Sequence, residues 1–246
     1  MAGPLKPASG AVVIHPRVMM VGGVLALVGL VIAGVFLWMV PNAAAREEVA
    51  ACRGLHGDDP LTPELCNGKP CTPPVPAPDF KAYDHQGKEV HLSDFRGKVV
   101  LVNFWASWCG VCKSEKPGLA KMASELSSDD FVVLALASDR DWADVLLALV
   151  DGLGGGHPKS DHVIALPEAL SIYKQALPDG VPFKVFMDPP DDDGNIGAIA
   201  KAWGIKAVPE TALIDRKGNV RAYFVNKREW TSGVAQTCLR SVIDER

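Results

Sequence analysis

Two cysteines separated by two residues, Cys109 and Cys112, are the residues of this sequence best suited to chemistry. The spacing places both sulfurs near one face of a helix, and it is about the shortest that closes a disulfide across a helix N-terminus. Free N–H groups and the positive end of the helix dipole favour a thiolate at Cys109. Because a thiolate attacks in disulfide exchange, we predict Cys109 as the nucleophile and Cys112 as the resolving thiol.

The elements around the pair must present it at a junction between a strand and a helix. Residues 99–104 are apolar and β-branched, as in a buried strand, and residues 109–126 follow as a helix interrupted by Pro117. This context favours a redox disulfide. The alternative is a structural zinc site that takes Cys66 and Cys71 as a second ligand pair.

Two segments carry a resemblance to a known family. Residues 103–117, Asn-Phe-Trp-Ala-Ser-Trp-Cys-Gly-Val-Cys-Lys-Ser-Glu-Lys-Pro, resemble the active-site segment of thioredoxin-like proteins, and residues 203–215 resemble their cis-proline loop. The TlpA/ResA/CcmG (DsbE) group of membrane-anchored thiol–disulfide oxidoreductases is most similar, and the Pro-Glu-Thr at residues 209–211 is closest to its cytochrome c maturation branch. The resemblance covers residues 78–246. It implies an α/β, thioredoxin-like fold with an N-terminal β-hairpin extension.

The resemblance also implies roles for residues outside the cysteine pair. It implies a cis peptide bond between Val208 and Pro209, packed opposite the cysteines, with the Val208 backbone free to pair with an extended substrate. It implies that Glu115, in the pattern Cys-x-x-Cys-x-x-Glu, relays the proton of Cys112; otherwise Glu115 is a solvated helix residue. Glu210 either recognises substrate or is a polar surface residue. No metal ligand is expected.

Two tryptophans stand near the cysteine pair. Trp105 and Trp108 are placed to flank the site and shape a groove for substrate. For Trp105, which ends the apolar strand, packing in the core is the favoured interpretation. Trp108, directly before Cys109, is predicted to contact substrate.

The N-terminal part of the chain predicts a membrane anchor. Residues 18–40 are uncharged and apolar, enough for one transmembrane helix. The alternative is a cleaved signal, since Ala43 and Ala45 form an Ala-x-Ala pattern. The predicted organisation is a cytoplasmic tail (1–17), the anchor (18–40), a linker rich in proline and cysteine (41–77) and the thioredoxin-like domain (78–246). The net charge of −4 argues against nucleic-acid binding.

Four cysteines lie outside the active motif: Cys52, Cys66, Cys71 and Cys238. They permit three pairings. Either Cys66 and Cys71 close a small loop, or a linker cysteine reaches Cys238 and pins the linker to the last helix. Structural disulfides belong to an oxidising compartment, so we expect a single-pass protein of the cytoplasmic membrane with its catalytic domain on the periplasmic side.

The rest of the domain is predicted from apolar runs and turn residues. A hairpin joins residues 80–83 and 88–92, and residues 152–182 form a central insertion with a helix at 166–177. Residues 73–78 are an extended spacer. Further strands are expected at residues 131–137, 183–187, 211–215 and 220–225, and further helices at 142–150, 195–203 and 229–243.

The resulting functional hypothesis is an envelope thiol–disulfide oxidoreductase that works as a reductant, with no cofactor beyond the Cys109–Cys112 disulfide. By resemblance, its substrate is an exported protein with a cysteine pair, apocytochrome c first and a copper-site protein second, and a membrane thiol carrier of the DsbD/CcdA type donates electrons. The alternatives are a copper-binding or copper-delivery module and a general oxidant or isomerase. A reductant has a potential near that of thioredoxin, about −270 mV, and a strong oxidant lies near −120 mV.

Overall fold

The computed structural model describes residues 16–56, 60–157, 162–191 and 193–245, and the chain divides into two compact units, residues 1–47 and 48–246. Almost all of the predicted tail, residues 1–17, lies outside the described residues. Helix α1 is Pro16–His56. Its segment Met20–Met39 is apolar and exposed, and it is long enough to cross a bilayer.

Helix α1 continues past Pro41, where the sequence predicts its end. A proline removes one backbone hydrogen bond, but alanine and glutamate, which dominate residues 43–48, have high helix propensity. The first part of the predicted linker, residues 41–56, is therefore helical and belongs to α1. The second compact unit begins at Glu48, ahead of the predicted domain boundary at residue 78.

One mixed sheet of eight strands organises the second unit, in the order β1-β8-β7-β4-β5-β6-β2-β3. β4 is parallel to β5, and β5 is parallel to β6; the other neighbours are antiparallel. The strands are β1 (Val75–Pro76), β2 (Lys81–Tyr83), β3 (Glu89–His91), β4 (Val99–Trp105), β5 (Phe131–Ala137), β6 (Lys184–Met187), β7 (Glu210–Ile214) and β8 (Asn219–Val225).

The apolar composition of the central strands explains why they are buried. All seven residues of β4 are buried, because helices cover one face of the sheet and a second apolar cluster around Trp203 covers the other. The hairpin β2–β3 extends the far edge through the pair Tyr83 and Met187. At the opposite edge, β1 pairs with β8, so part of residues 73–78 is an edge strand instead of a free spacer.

The described residues of the second unit also form five α-helices: α2 (Gly110–Glu125), α3 (Trp142–Leu153), α4 (Leu166–Ala176), α5 (Ala198–Ala202) and α6 (Gly233–Ile243). α4 lies in the predicted insertion and packs on α3 through Ala169 and Leu146. α5 is shorter than expected. α6 begins later than expected because the Ser232 side chain caps it by accepting the Ala235 N–H.

All six cysteines are in disulfides: Cys52–Cys238, Cys66–Cys71 and Cys109–Cys112. The two alternatives for the outer cysteines therefore occur together. Cys66 and Cys71 close a small loop, and Cys52, near the end of α1, reaches the buried Cys238 on α6. Both cysteine pairs of the zinc alternative, Cys66–Cys71 and Cys109–Cys112, are closed as disulfides.

Candidate active site

The cysteine pair lies where β4 ends and α2 begins. Cys109 is the N-cap of α2, and its Sγ accepts the backbone N–H of Cys112 at 3.1 Å. Cys109 keeps 8% of its surface exposed, whereas Cys112 is fully buried. A donated N–H and the helix dipole both stabilise negative charge on the Cys109 sulfur, which is also the sulfur that a second protein reaches first.

Val208 and Pro209 lie beside the cysteine pair because strand β7 pairs with strand β4. β7 begins directly after Pro209 and runs antiparallel to β4, with Glu210 opposite Phe104. The loop before β7 therefore lies beside the loop after β4. The Val208 carbonyl oxygen is 3.6 Å from the Cys109 Sγ, and the Val208–Pro209 peptide bond is cis. The Val208 backbone therefore lies directly beside the more exposed of the two sulfurs.

Trp108 forms the exposed side of the site. Half of its surface is accessible, and its indole N–H donates to the Ser138 carbonyl at 3.3 Å. Trp105, in contrast, is wholly buried, as the core interpretation expects. A groove of about 480 Å³ starts at Trp108 and is lined by Lys113, Asp139 and residues of α3. Burial raises the pKa of the Asp139 carboxyl, which accepts hydrogen bonds from Ser107.

Glu115 is buried beneath the dithiol and fully engaged, so the interpretation as a solvated residue is wrong. Its Oε1 accepts the Trp230 indole N–H and the Arg228 backbone N–H, both at 2.8 Å. Its Oε2 lies 3.5 Å from the Asn103 Nδ2, at the limit of a hydrogen bond. Glu115 is one helical turn after Cys112, which places its carboxylate on the side of the resolving cysteine.

Glu210 is also buried, which excludes the interpretation as a polar surface residue. Its carboxylate accepts a hydrogen bond from the Tyr223 hydroxyl, on the neighbouring strand β8. Residues alternate between the faces of a strand, so Glu210 and Thr211 point to opposite sides of the sheet. The Thr211 hydroxyl accepts a hydrogen bond from the Asn103 Nδ2 at 2.9 Å, so Thr211 lies on the face of the sheet that Glu115 contacts.

Lys116 is the functional candidate that the sequence analysis missed. It is completely buried, and its Nζ donates to the Asn103 Oδ1 at 2.7 Å and lies 4.1 Å from the centroid of the Trp105 ring. Two signals were present in the sequence: Lys116 follows Cys112 at the helical repeat of four, and Asn103 is the polar residue inside the apolar strand β4. For Trp230 and Arg228, no nearby residue in the sequence indicated a place in the site.

Burial lowers the pKa of Lys116 from 10.5 to about 7, and the nearby Glu115 charge opposes this shift. In the unfolded chain the lysine keeps its proton up to about pH 10, so between pH 7 and pH 10 the unfolded state binds more protons than the folded state. Stability therefore rises with pH across this window.

We expect the oxidised protein to gain about 2 kcal/mol of unfolding free energy between pH 7 and pH 9, and Lys116→Met to abolish this gain. Urea denaturation of both forms at pH 7, 8 and 9 measures it. Lys121→Met, which removes an exposed lysine of the same helix, is the control and keeps the pH dependence. An equal slope in Lys116→Met and the unmodified protein would contradict the assignment.

Comparisons with known proteins found a matching family and several relatives. The Redoxin family model matches residues 74–239. The thiol-disulfide oxidoreductase ResA of Geobacillus thermodenitrificans is 29% identical over 145 residues, which are 59% of this chain and 64% of ResA. The thiol:disulfide interchange protein DsbE of Pseudomonas fluorescens biotype C is 31% identical over 177 residues, 70% of this chain and 74% of that protein.

A solved structure supports the same conclusion for the fold. A Chlorobium tepidum protein described as a thiol:disulfide interchange protein DsbE is 26% identical, with a TM-score of 0.50, over 69% of this chain and 96% of that chain. The expected thioredoxin-like fold is confirmed. This chain spans just under two thirds of the length of its ResA relative.

Proposed function

This chain belongs to the Redoxin family, with ResA and DsbE thiol–disulfide oxidoreductases among its relatives, and on that premise we propose that it exchanges disulfides through Cys109 and Cys112. One observation carries the proposal. The Cys109 Sγ is held by the Cys112 N–H at 3.1 Å and faces the Val208 carbonyl at 3.6 Å. A sulfur activated at a helix N-terminus thus stands beside backbone that can pair with a substrate.

The reaction proceeds in two exchanges. The Cys109 thiolate attacks a substrate disulfide, forms a mixed disulfide and releases one substrate sulfur as a thiolate. Cys112 then attacks Cys109, forms the Cys109–Cys112 disulfide and releases the second substrate sulfur. Glu115 accepts the proton that Cys112 loses, because its carboxylate is buried one helical turn away. Two electrons pass to the substrate, which leaves as a dithiol.

The groups around Cys109 position the substrate. An extended segment pairs with the backbone at Val208, and the exposed face of Trp108 packs against its side chains. The buried Glu210, held by Tyr223, lies one residue beyond Pro209 and supports the shape of this loop from the opposite face of the sheet. Because Glu210 is buried, it contacts substrate only if the bound segment extends beyond Pro209 along the chain.

The finer assignment is an envelope reductant of the cytochrome c maturation type. The Pro-Glu-Thr sequence at residues 209–211 supports it by resemblance, and apocytochrome c is the first candidate substrate, with a copper-site protein second. The disulfides Cys52–Cys238 and Cys66–Cys71 favour an oxidising compartment, so we place the domain on the periplasmic side, with residues 18–40 as the anchor. A membrane carrier of the DsbD/CcdA type supplies the electrons.

Trapping of the mixed disulfide tests the proposed function. We expect Cys112→Ala, expressed in its native cell envelope, to accumulate an adduct through Cys109, because the resolving thiol is absent. Mass spectrometry of the adduct identifies the substrate, and a reductant of this type yields an exported protein with a cysteine pair.

Cys109→Ala is the matched control for trapping, since it leaves only the fully buried sulfur of Cys112. It should form no adduct. Equal adducts through Cys112 in Cys109→Ala would reverse the two roles, and absence of any adduct in Cys112→Ala would argue against exchange with a protein substrate.

A further inference from the structure

A buried lysine lies on α2 one turn after the resolving cysteine, and the mechanism above does not use it. The Lys116 ammonium group is removed from solvent, with one hydrogen bond to Asn103 and two aromatic neighbours, Trp105 at 4.1 Å and Phe183 at 5.7 Å from the ring centroids. Burial of a lysine costs free energy unless its partners compensate for the lost water. Nothing in the packing of α2 requires a lysine here, since methionine has a similar volume.

The backbone places this charge on the side of the resolving cysteine. Lys116 follows Cys112 by four residues on α2, and long helical side chains lean toward the helix N-terminus, which is the turn that carries Cys112. Both residues are fully buried. A charge in this setting is screened weakly by salt and acts strongly on a neighbouring charge.

The charged and polar groups that face Lys116 are few in the described part of the chain. Asn103, on β4, contacts both Lys116 and Glu115, and the negative charge of Glu115 favours the protonated form of Lys116. From α3, Gly152 packs closely against α2: a Cβ there would come within 3.4 Å of the Lys116 Cβ and 3.1 Å of the Lys113 carbonyl oxygen. The rings of Trp105 and Phe183 also lie near the Lys116 Nζ.

We propose that Lys116 is a positioning residue that stabilises the negative charge formed at Cys109 and Cys112 on reduction, and so makes the dithiol form more stable. The inference rests on the proposed function and deepens it. Reduction of the disulfide adds two electrons, and the sulfurs carry negative charge to the extent that their protons are lost. Lys116 attracts this charge and Glu115 repels it, so the two adjacent residues act on the same equilibrium with opposite signs.

The test is the equilibrium of the full chain with a buffer of reduced and oxidised glutathione at pH 6, where Lys116, whose pKa is about 7, keeps its proton. The free thiols are read by alkylation. We expect Lys116→Met to lower the equilibrium constant for reduction about tenfold, a potential about 30 mV more negative. Glu115→Gln should raise it. Lys121→Met, the exposed lysine of the same helix, should leave it unchanged.

Salt distinguishes a buried charge from a surface charge, and the opposite signs of the two single variants distinguish a charge effect from a structural one. The shift in Lys116→Met should persist in 1 M NaCl, because the charge is buried. The double variant Lys116→Met/Glu115→Gln, which removes both charges, should return toward the unmodified constant; it also preserves the test if Lys116→Met alone folds poorly. A shift of the same sign in Lys116→Met and Glu115→Gln, or no shift in Lys116→Met, would overturn the proposal.

The equilibrium measurement separates this inference from the proposed function. Glutathione reports the stability of the dithiol whether or not the protein has a protein substrate. If the shifts have the expected signs but Cys112→Ala traps no partner, the role of Lys116 stands and the substrate assignment fails. If trapping succeeds and the equilibrium constant of Lys116→Met is unchanged, the proposed function stands and the role of Lys116 fails.

Discussion

Cys109→Ser is expected to reduce the catalysed reduction of a protein disulfide, such as insulin, by on the order of 10³-fold or more, to the uncatalysed background. The serine hydroxyl keeps the size of the side chain and still accepts the Cys112 N–H at the helix N-cap, so the fold is retained. It does not ionise in the accessible pH range, and the attacking species is therefore lost. Initial rates with dithiothreitol as the electron source measure the effect.

Cys112→Ser is the matched comparison for this prediction. The variant keeps the Cys109 thiolate, so the first exchange should still occur once per molecule and stop at the mixed disulfide. Without dithiothreitol, which would itself cleave the mixed disulfide, the pre-reduced variant should release one equivalent of substrate thiol and stop, whereas Cys109→Ser should release none. Retained turnover in Cys109→Ser would mean that another sulfur starts the reaction.

The local parts of this site could be predicted from the sequence because they depend on neighbours along the chain. The apolar run in β4, the N-cap position of Cys109 and the burial of Trp105 each follow from spacing and residue type. The pairing of β7 with β4 then brings Pro209 to Cys109. This last step needed the family resemblance, since the composition of a strand does not identify its partner.

The buried polar network was not predictable, because its members come from distant parts of the chain. Glu115 is held by Arg228 and Trp230, more than a hundred positions later, and the burial of a carboxylate is decided by such partners. Lys116 shows the same difficulty. A lysine on a helix is usually solvated, and only the folded structure brings a hydrogen-bond acceptor and an aromatic ring to the Lys116 ammonium group.

Removal of the Cys52–Cys238 disulfide is the stability change from which we expect the largest effect. The bond closes a loop with a sequence separation of 186 residues, and the chain-entropy relation gives about 5 kcal/mol for a loop of this length. Cys66–Cys71 closes a separation of 5 residues, for which the same relation gives about 2 kcal/mol. The two double alanine variants therefore form a matched pair in which loop length is the main difference.

Urea denaturation of the full chain in non-ionic detergent measures this difference, and Cys52→Ala/Cys238→Ala should lose more stability than Cys66→Ala/Cys71→Ala. An equal or smaller loss would show that the unfolded chain already restrains these ends.

Loss of the Cys52–Cys238 disulfide should also affect the active site. The Arg228 side chain donates to the Leu55 carbonyl at 2.8 Å, one turn after Cys52, while its backbone N–H holds Glu115. Release of the end of α1 from α6 thus loosens a residue that orients the buried carboxylate, and the resolving step should slow in this variant alone.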